Sequence, residues 1–339
     1  MPPPPAQRPT LTYRRLNSTR KEIRLLELQP AQKIEDQVVC RLITVPLTED
    51  LEFIGLSSLY GDPSETEKVV VNGIPLAIPE NLAQALRHVR QVFYPTAVKP
   101  RQRAQSKDVK APRWLQHLLN HVGNVIPDQD LERKIPLRIW LDVLCINQSD
   151  DKEKGNQVTS LAQIYGAARM VVGWLGLKSD TTDAGAEVLR QIDEAMPPTW
   201  GDPGDEARNP QNYSPHHEWM TKIQHLWEPV AYGLSPLKND HWVGVADFQN
   251  RPYFHRVWIL REIMMARYPA FMVGDAIVSW EQVLRLNRFL EEVKERASYV
   301  WPAKLKTGIY EWPLDTIHML LDEFNKKRRQ ERPHGPGHC

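Results

Sequence analysis

The stretch LRIWLDVLCINQ, Leu137 to Gln148, opens with β-branched, aromatic and aliphatic residues and has no helix cap, the pattern of a strand buried on both faces. It closes on Asp142, Cys145, Asn147 and Gln148, then leads through Asp150-Asp151-Lys152-Glu153 into a helix start. Val158, Leu161, Ile164, Tyr165 and Ala168 form the inward stripe of a helix running to about Arg169. Met170 to Leu175, MVVGWL, follows as a second buried strand. Strand, helix and strand in immediate succession make a βαβ unit with a right-handed crossover, so the fold class is α/β. In an open α/β sheet ligands bind outside the carboxyl ends of the strands, which makes the exit of the first strand one wall of a candidate site.

Upstream, Ile23–Leu28 and Val38–Val45 read as short strands on either side of Pro30. Phe53–Tyr60 reads as a further strand, closed by the turn Gly61-Asp62-Pro63. Asn72-Gly73, between Val69–Val71 and Ile74–Leu76, predicts a two-residue hairpin that decorates the sheet, because both turn positions need positive φ. Asn81 to Phe93 carries apolar residues at helical spacing between two prolines. Downstream, Ala184–Ala195 and Tyr253–Ala266 predict helices, Ala270–Val273 a last short strand and Trp280–Val293 another helix.

These elements divide the chain into a proline-rich, then basic, flexible lead-in over residues 1–20, a domain over 21–295, and a helical extension with a disordered tail over 296–339. Two insertions interrupt the domain. The stretch 96–113 is basic without interleaved aromatics, so it reads as a solvated loop and not as a nucleic-acid site. The stretch 197–240, rich in Pro, Gly, Asn and Asp, reads as a loose surface insertion with a short helix within Trp219–Trp227 and the makings of a lid. Lys326-Lys327-Arg328-Arg329 in the tail reads as a solvated helix end.

Composition narrows the function classes. A net charge of +1 over 339 residues supplies no global field for nucleic acid or an anionic membrane. No run of apolar residues is long enough to span a bilayer, and the N-terminus lacks the apolar core of a secretory signal, so a cytoplasmic location is expected. Three scattered cysteines offer neither a disulfide framework nor a metal-ligand spacing, so no metal and no permanently bound cofactor are expected.

Three blocks of sequence together resemble the fungal heterokaryon-incompatibility (HET) domain. They are FIGLSSLYGDP at 53–63, IWLDVLCINQSDDKEKGNQVTSLAQIYGAARMVVGWLG at 139–176, and NRPYFHRVWILREI at 250–263, in the order the family shows. The first block departs from the family's usual SYxWGD at Ser58 and Tyr60, and the third has Arg261-Glu262 where the family commonly has Gln-Glu. The HET domain is in turn similar to the Toll/interleukin receptor (TIR) domain. That likeness implies a TIR-like, flavodoxin-like doubly wound and mainly parallel sheet, with helical insertions and the N-terminal β decoration. Several TIR domains cleave NAD with a glutamate in a Trp-x-x-x-Glu context, a spacing that Trp258 and Glu262 match.

The resemblance therefore implies an intracellular cell-death module that hydrolyses NAD at the nicotinamide–ribose bond. Glu262 would be its catalytic carboxylate, and activation would require self-association into a homo-oligomer. Residues four apart share one helix face, so an aromatic ring and a carboxylate can line one cleft. On residue type alone Glu262 equally suits a surface ion pair with Arg256 or Arg261. Ser57, Tyr60 and Gly61 at the first core strand's exit suit ribose or phosphate, and suit a plain turn as well. Asp142 suits a ligand hydroxyl or a structural partner. Asn147 and Gln148 suit recognition of a base or bracing of their loop. Arg256 matches a pyrophosphate or an ion pair. Two other readings stand beside NAD cleavage: a non-catalytic self-assembling adaptor for a signalling partner protein, and a transferase using Cys145, a residue whose buried setting also fits plain core packing.

Overall fold

The computed structural model describes residues 11–93, 136–200, 204–214, 217–227, 239–255, 262–263 and 265–295. The insertion expected at 96–113 and the extension expected at 296–339 lie outside the described residues. The described chain falls into two compact units. The first takes in residues 11–93, 136–177 and 262–275, and the second those from 178 to 255 together with 276–295.

The first unit is built on a mixed sheet. Its strands are β1 (Glu22–Leu28), β2 (Val39–Pro46), β3 (Ile54–Ser58), β4 (Thr66–Val71), β5 (Ile74–Pro79), β6 (Leu137–Trp140), β7 (Met170–Trp174) and β8 (Pro269–Val273). Across the sheet they lie in the order β5-β4-β2-β1-β6-β3-β7-β8. The pairs β3–β6, β3–β7 and β7–β8 are parallel, so β6, β3, β7 and β8 point their carboxyl ends to one edge. β7 is buried along its whole length, as its uninterrupted apolar run requires.

The first strands are more than decoration. β1 pairs antiparallel with β6 and carries four consecutive buried residues, so the parallel strands continue directly into a mixed sheet. The hairpin forms as expected: Asn72 and Gly73 have φ of 53° and 78° between β4 and β5, which pair antiparallel.

Three helices belong to this unit: α1 (Glu80–Phe93), the single turn α2 (Asp142–Cys145), and α3 (Asp151–Ala167). Asp150 caps α3, its side chain accepting from the Glu153 amide at 3.0 Å. The predicted stripe of α3 holds only in part. Ile164, Tyr165 and Ala168 are buried, whereas Val158 is 42% exposed, because in the N-terminal half of the helix the inward face carries Glu153, Gln157 and Ser160, with Glu153 paired to Arg24 of β1.

The second unit is helical, with α4 (Thr182–Ala195), α5 (Asp205–Arg208), α6 (Glu218–Lys222), α7 (Asp240–Gln249), β9 (Ala276–Ser279) and α8 (Trp280–Glu295). α4 and α7 cross at Gly185 and Gly244, where a Cβ on Gly185 would sit 2.3 Å from Gly244 backbone. The described part of the 197–240 stretch is packed and not loose. Trp200 stacks on Tyr213 at 5.2 Å and meets Trp219 edge-on at 5.3 Å. The fully buried Asp205 accepts from the Tyr213 hydroxyl at 2.9 Å, which with its other hydrogen bonds, from Thr199 first, holds its carboxyl below the usual range. The short helix expected within Trp219–Trp227 forms as α6 and the 3-10 turn Gln224–Trp227, whereas the four-residue helices before it show no readable period. Similarly, Pro252–His255 forms a 3-10 turn where the apolar spacing predicts a continuous helix from Tyr253.

Candidate active site

The parallel strands enter the sheet in the chain order β3, β6, β7, β8 but lie in the order β6-β3-β7-β8. Connections therefore run one way from β3 to β6 and back the other way to β7. The reversal falls between β3 and β7, which stay paired through Ser58 and Trp174 at their carboxyl ends; in open α/β sheets ligands bind outside the strand ends at such a reversal. Ser57 lies at this junction, registered opposite Gly173 of β7.

Ser57 is buried, and its hydroxyl donates to Oε2 of the half-buried Glu262. Gly55, two residues earlier on the same face of β3, lies under the ring of Tyr165 from α3; a Cβ there would approach the ring to 2.9 Å. Glu262 thus reaches β3 on the face that α3 covers, and the main chain near it runs beside α3, where Met265 O lies 3.5 Å from a Cβ built on Gly166. The first and third resemblance blocks, far apart in sequence, meet in this one hydrogen bond.

The other face of the β3 exit is held by Asn81, near the start of α1. Its Nδ2 donates to Leu59 O at 2.7 Å and Ser58 Oγ at 3.2 Å, while its Oδ1 accepts from Trp174 Nε1 at 3.0 Å. His88 stacks on Trp174 at 5.1 Å. Gly61 has φ of 86°, and a Cβ there would be 2.9 Å from Asn81 Cβ, so both backbone shape and crowding require glycine. Tyr60 stands out at 50% exposure on the bracketed turn.

The β6 exit is organised differently. Arg24, 2% exposed on β1, forms a bidentate ion pair with Glu153 at 2.6 and 2.9 Å and donates to Cys145 O at 3.0 Å. Glu153 also accepts from the Asn147 amide at 2.8 Å. Burial raises the Glu153 pKa, but the Arg24 and Asn147 hydrogen bonds outweigh it and hold the carboxyl below the usual range. The N-terminal segment closes over this network, with the Arg24 guanidinium 4.9 Å from the Tyr13 ring centre and the Tyr13 hydroxyl donating to Leu144 O at 3.2 Å.

The candidate residues of this loop bond within it. Gln148 Nε2 donates to Asp142 O at 3.1 Å, Asn147 Oδ1 accepts from Ser149 N at 3.1 Å, and Asp142 Oδ1 accepts from Val143 N at 2.7 Å. Cys145 is 1% exposed, and burial pushes its thiol up to about 12, the opposite of the activation a nucleophile needs. That environment removes the physical basis of the Cys145 transferase. Among the described residues no group of three or more His, Cys, Asp or Glu is placed to hold a metal ion.

The structure therefore brings Ser57 and Glu262 into contact, sets Tyr60 and Gly61 on the same strand exit, and groups Asp142, Asn147 and Gln148 on the β6 loop. Arg256 and Trp258 lie outside the described residues. Sequence reasoning misses Arg24 and Asn81. An arginine inside the apolar run of β1 is a readable anomaly, since a buried guanidinium demands a carboxylate, but nothing in the sequence points to Glu153 as its partner. Asn81 carries no such mark beyond its place at a helix start.

Residues 95–262 match the family model described as heterokaryon incompatibility protein (HET). The match contains the β6 to β7 block and ends on Glu262, while the 53–63 block lies before it. Heterokaryon incompatibility protein 6, OR allele, of Neurospora crassa is 25% identical over 299 residues, covering 81% of this chain. The chain spans 36% of that relative's length. No solved structure matches the chain. No described helix is long and apolar enough to cross a membrane.

Proposed function

We propose that this HET-domain protein is a cell-death signalling module that hydrolyses NAD to nicotinamide and ADP-ribose, with Glu262 as its catalytic carboxylate. The observation that carries the reading is the Ser57–Glu262 hydrogen bond at the strand-order reversal. The order β6-β3-β7-β8 is that of a flavodoxin-like doubly wound sheet once its strands are numbered along the chain, which supports the TIR-like reading of the fold.

The chemistry asks little of the protein. The bond between ribose C1′ and the pyridinium nitrogen breaks with its electron pair going to nitrogen, so nicotinamide departs neutral and needs no acid. A carboxylate beside C1′ stabilises the oxocarbenium-like charge that develops there. Water then adds to C1′ and gives up a proton, which the carboxylate is suited to accept. Ser57 is the positioning residue: by donating to Glu262 it fixes the carboxylate and favours its ionised form. Tyr60 and the Gly61 turn follow the β3 exit, beside which the ribose and phosphates would lie. Asn147, Gln148 and Asp142 brace the neighbouring loop, and Trp258 and Arg256 retain the roles that their spacing from Glu262 gives them.

Incubation of concentrated protein with NAD tests the proposal through nicotinamide release. Wild type and Cys145→Ala are expected to release nicotinamide, with specific activity rising with protein concentration if a second copy completes the site. Folded Glu262→Ala is expected to release none. Absence of turnover in wild type at every concentration, with partner binding retained, would favour the adaptor reading.

A further inference from the structure

We propose that a second small-molecule site, for a sugar phosphate, lies between the N-terminal turn of the first unit and the N-terminal half of α3. A cavity of about 440 Å³ opens there, within the range of small-molecule pockets and far below what a macromolecular partner fills. It contains none of the residues assigned above to NAD cleavage, so it stands or falls independently of that reading.

Its lining has three parts. Leu16, Ile23, Leu47 and Ile164 form an apolar floor. Asn156, Gln157, Ser160 and Gln163, spaced along one side of α3, supply amide and hydroxyl groups that both donate and accept, the complement of a ligand rich in hydroxyls. Ser160 donates to Asn156 O at 3.0 Å, which leaves its oxygen as an acceptor. Arg15, Lys21 and Lys152 stand at the rim.

Charge sets the ligand class. Three carboxylates also line the cavity, but each is already engaged. Glu22 accepts from Arg14 and the Asn17 amide, Glu153 accepts from Arg24 and the Asn147 amide, and Asp150 caps α3. Arg15, Lys21 and Lys152 have no ion-pair partner among the described residues. The unmatched charge at the cavity is therefore positive, which suits an anion such as phosphate.

The rim is also preformed. Lys21 holds a positive φ of 49° in a turn closed by Lys21 N to Ser18 O at 3.1 Å and Glu22 N to Asn17 O at 3.1 Å, and Leu47 N donates to Lys21 O at 3.0 Å. A turn fixed this firmly loses little ordering entropy when a ligand arrives. A ligand site here also accounts for the polar residues, in place of an apolar stripe, that α3 carries on its cavity side.

Thermal unfolding of the full chain with ribose 5-phosphate, ribose or inorganic phosphate tests the assignment. Ribose 5-phosphate at 100 times its Kd should raise stability by about 2.7 kcal/mol, with smaller shifts from the other two. Lys21→Glu with Lys152→Glu should abolish the shift without changing Tm in the absence of ligand, whereas Lys68→Glu, an exposed lysine on β4, should retain it. Equal shifts from ribose 5-phosphate and inorganic phosphate, no shift at 10 mM, or a shift that survives the double substitution would each overturn the proposal.

Discussion

The exits of β3 and β6 are neighbours at one edge of the sheet, yet they use charge in opposite ways. At β6 Arg24 and Glu153 form a buried bidentate pair, and the Asn147 and Gln148 side chains bond within their own loop. At β3 a half-buried carboxylate meets a serine hydroxyl beside an exposed tyrosine and a tight glycine turn. The bidentate Arg24–Glu153 pair makes one loop rigid, whereas at the other exit the Ser57 hydroxyl orients the Glu262 carboxylate. The signature motif of the sequence therefore carries the braced loop, and the carboxylate proposed to react meets the neighbouring strand.

The largest way to break this contrast is at Arg24. Replacing it with Met strands the Glu153 carboxylate, and loss of one partner of a buried pair costs about 3–5 kcal/mol; urea unfolding measures it. If the midpoint does not move, the β6 exit is not the rigid half.

Ser57→Ala acts on the other exit. Loss of a hydrogen bond to a charged group, about 1.5–3 kcal/mol, should slow NAD cleavage about tenfold to a hundredfold. A merely structural serine would not move the acid limb of the pH–rate profile. A serine that favours the ionised carboxylate would, and removing it should shift that limb to higher pH.

Acid separates the exits further. The Glu153 pKa is held below its ordinary value of 4.5 in the folded state. The unfolded chain therefore takes up protons first, and the stability contributed by this carboxylate is full above that value and is lost as pH falls through the folded pKa. Wild type should lose stability below about pH 4.5 more steeply than Arg24→Met. Equal slopes would show that the pair does not govern the loop.

The smallest effect tests the exposed side of the first half of α3. A Cβ added to Gly155 would meet nothing within 4 Å, so Gly155→Ala should raise stability by about 0.5–1 kcal/mol. A fall would mean that this half of the helix is packed after all.

Much of this molecule is legible where chemistry is local. Asn72-Gly73 specifies its hairpin, Asp150 its helix cap, and the uninterrupted apolar run of MVVGWL its fully buried strand. Long-range pairings are not legible. Nothing in either local sequence says that Arg24 meets Glu153, or that Asn81 spans Leu59 and Trp174, because such pairs depend on how the sheet is ordered. Spacing and family context point to Glu262, and the strand exit points to Ser57 as a ligand contact; only the folded chain shows the two bonded to each other. Val158 misleads because the inward face at the start of α3 is the polar one that carries Glu153, not the one its apolar period marks.

The central claim is tested most directly by nicotinamide release from Glu262→Gln, a change that keeps side-chain size and hydrogen bonding but removes the negative charge. With native Tm and circular dichroism, the variant should fall at least about 10²–10³-fold below wild type, the cost of removing a preorganised electrostatic group. Turnover equal to wild type in that folded variant would contradict the account.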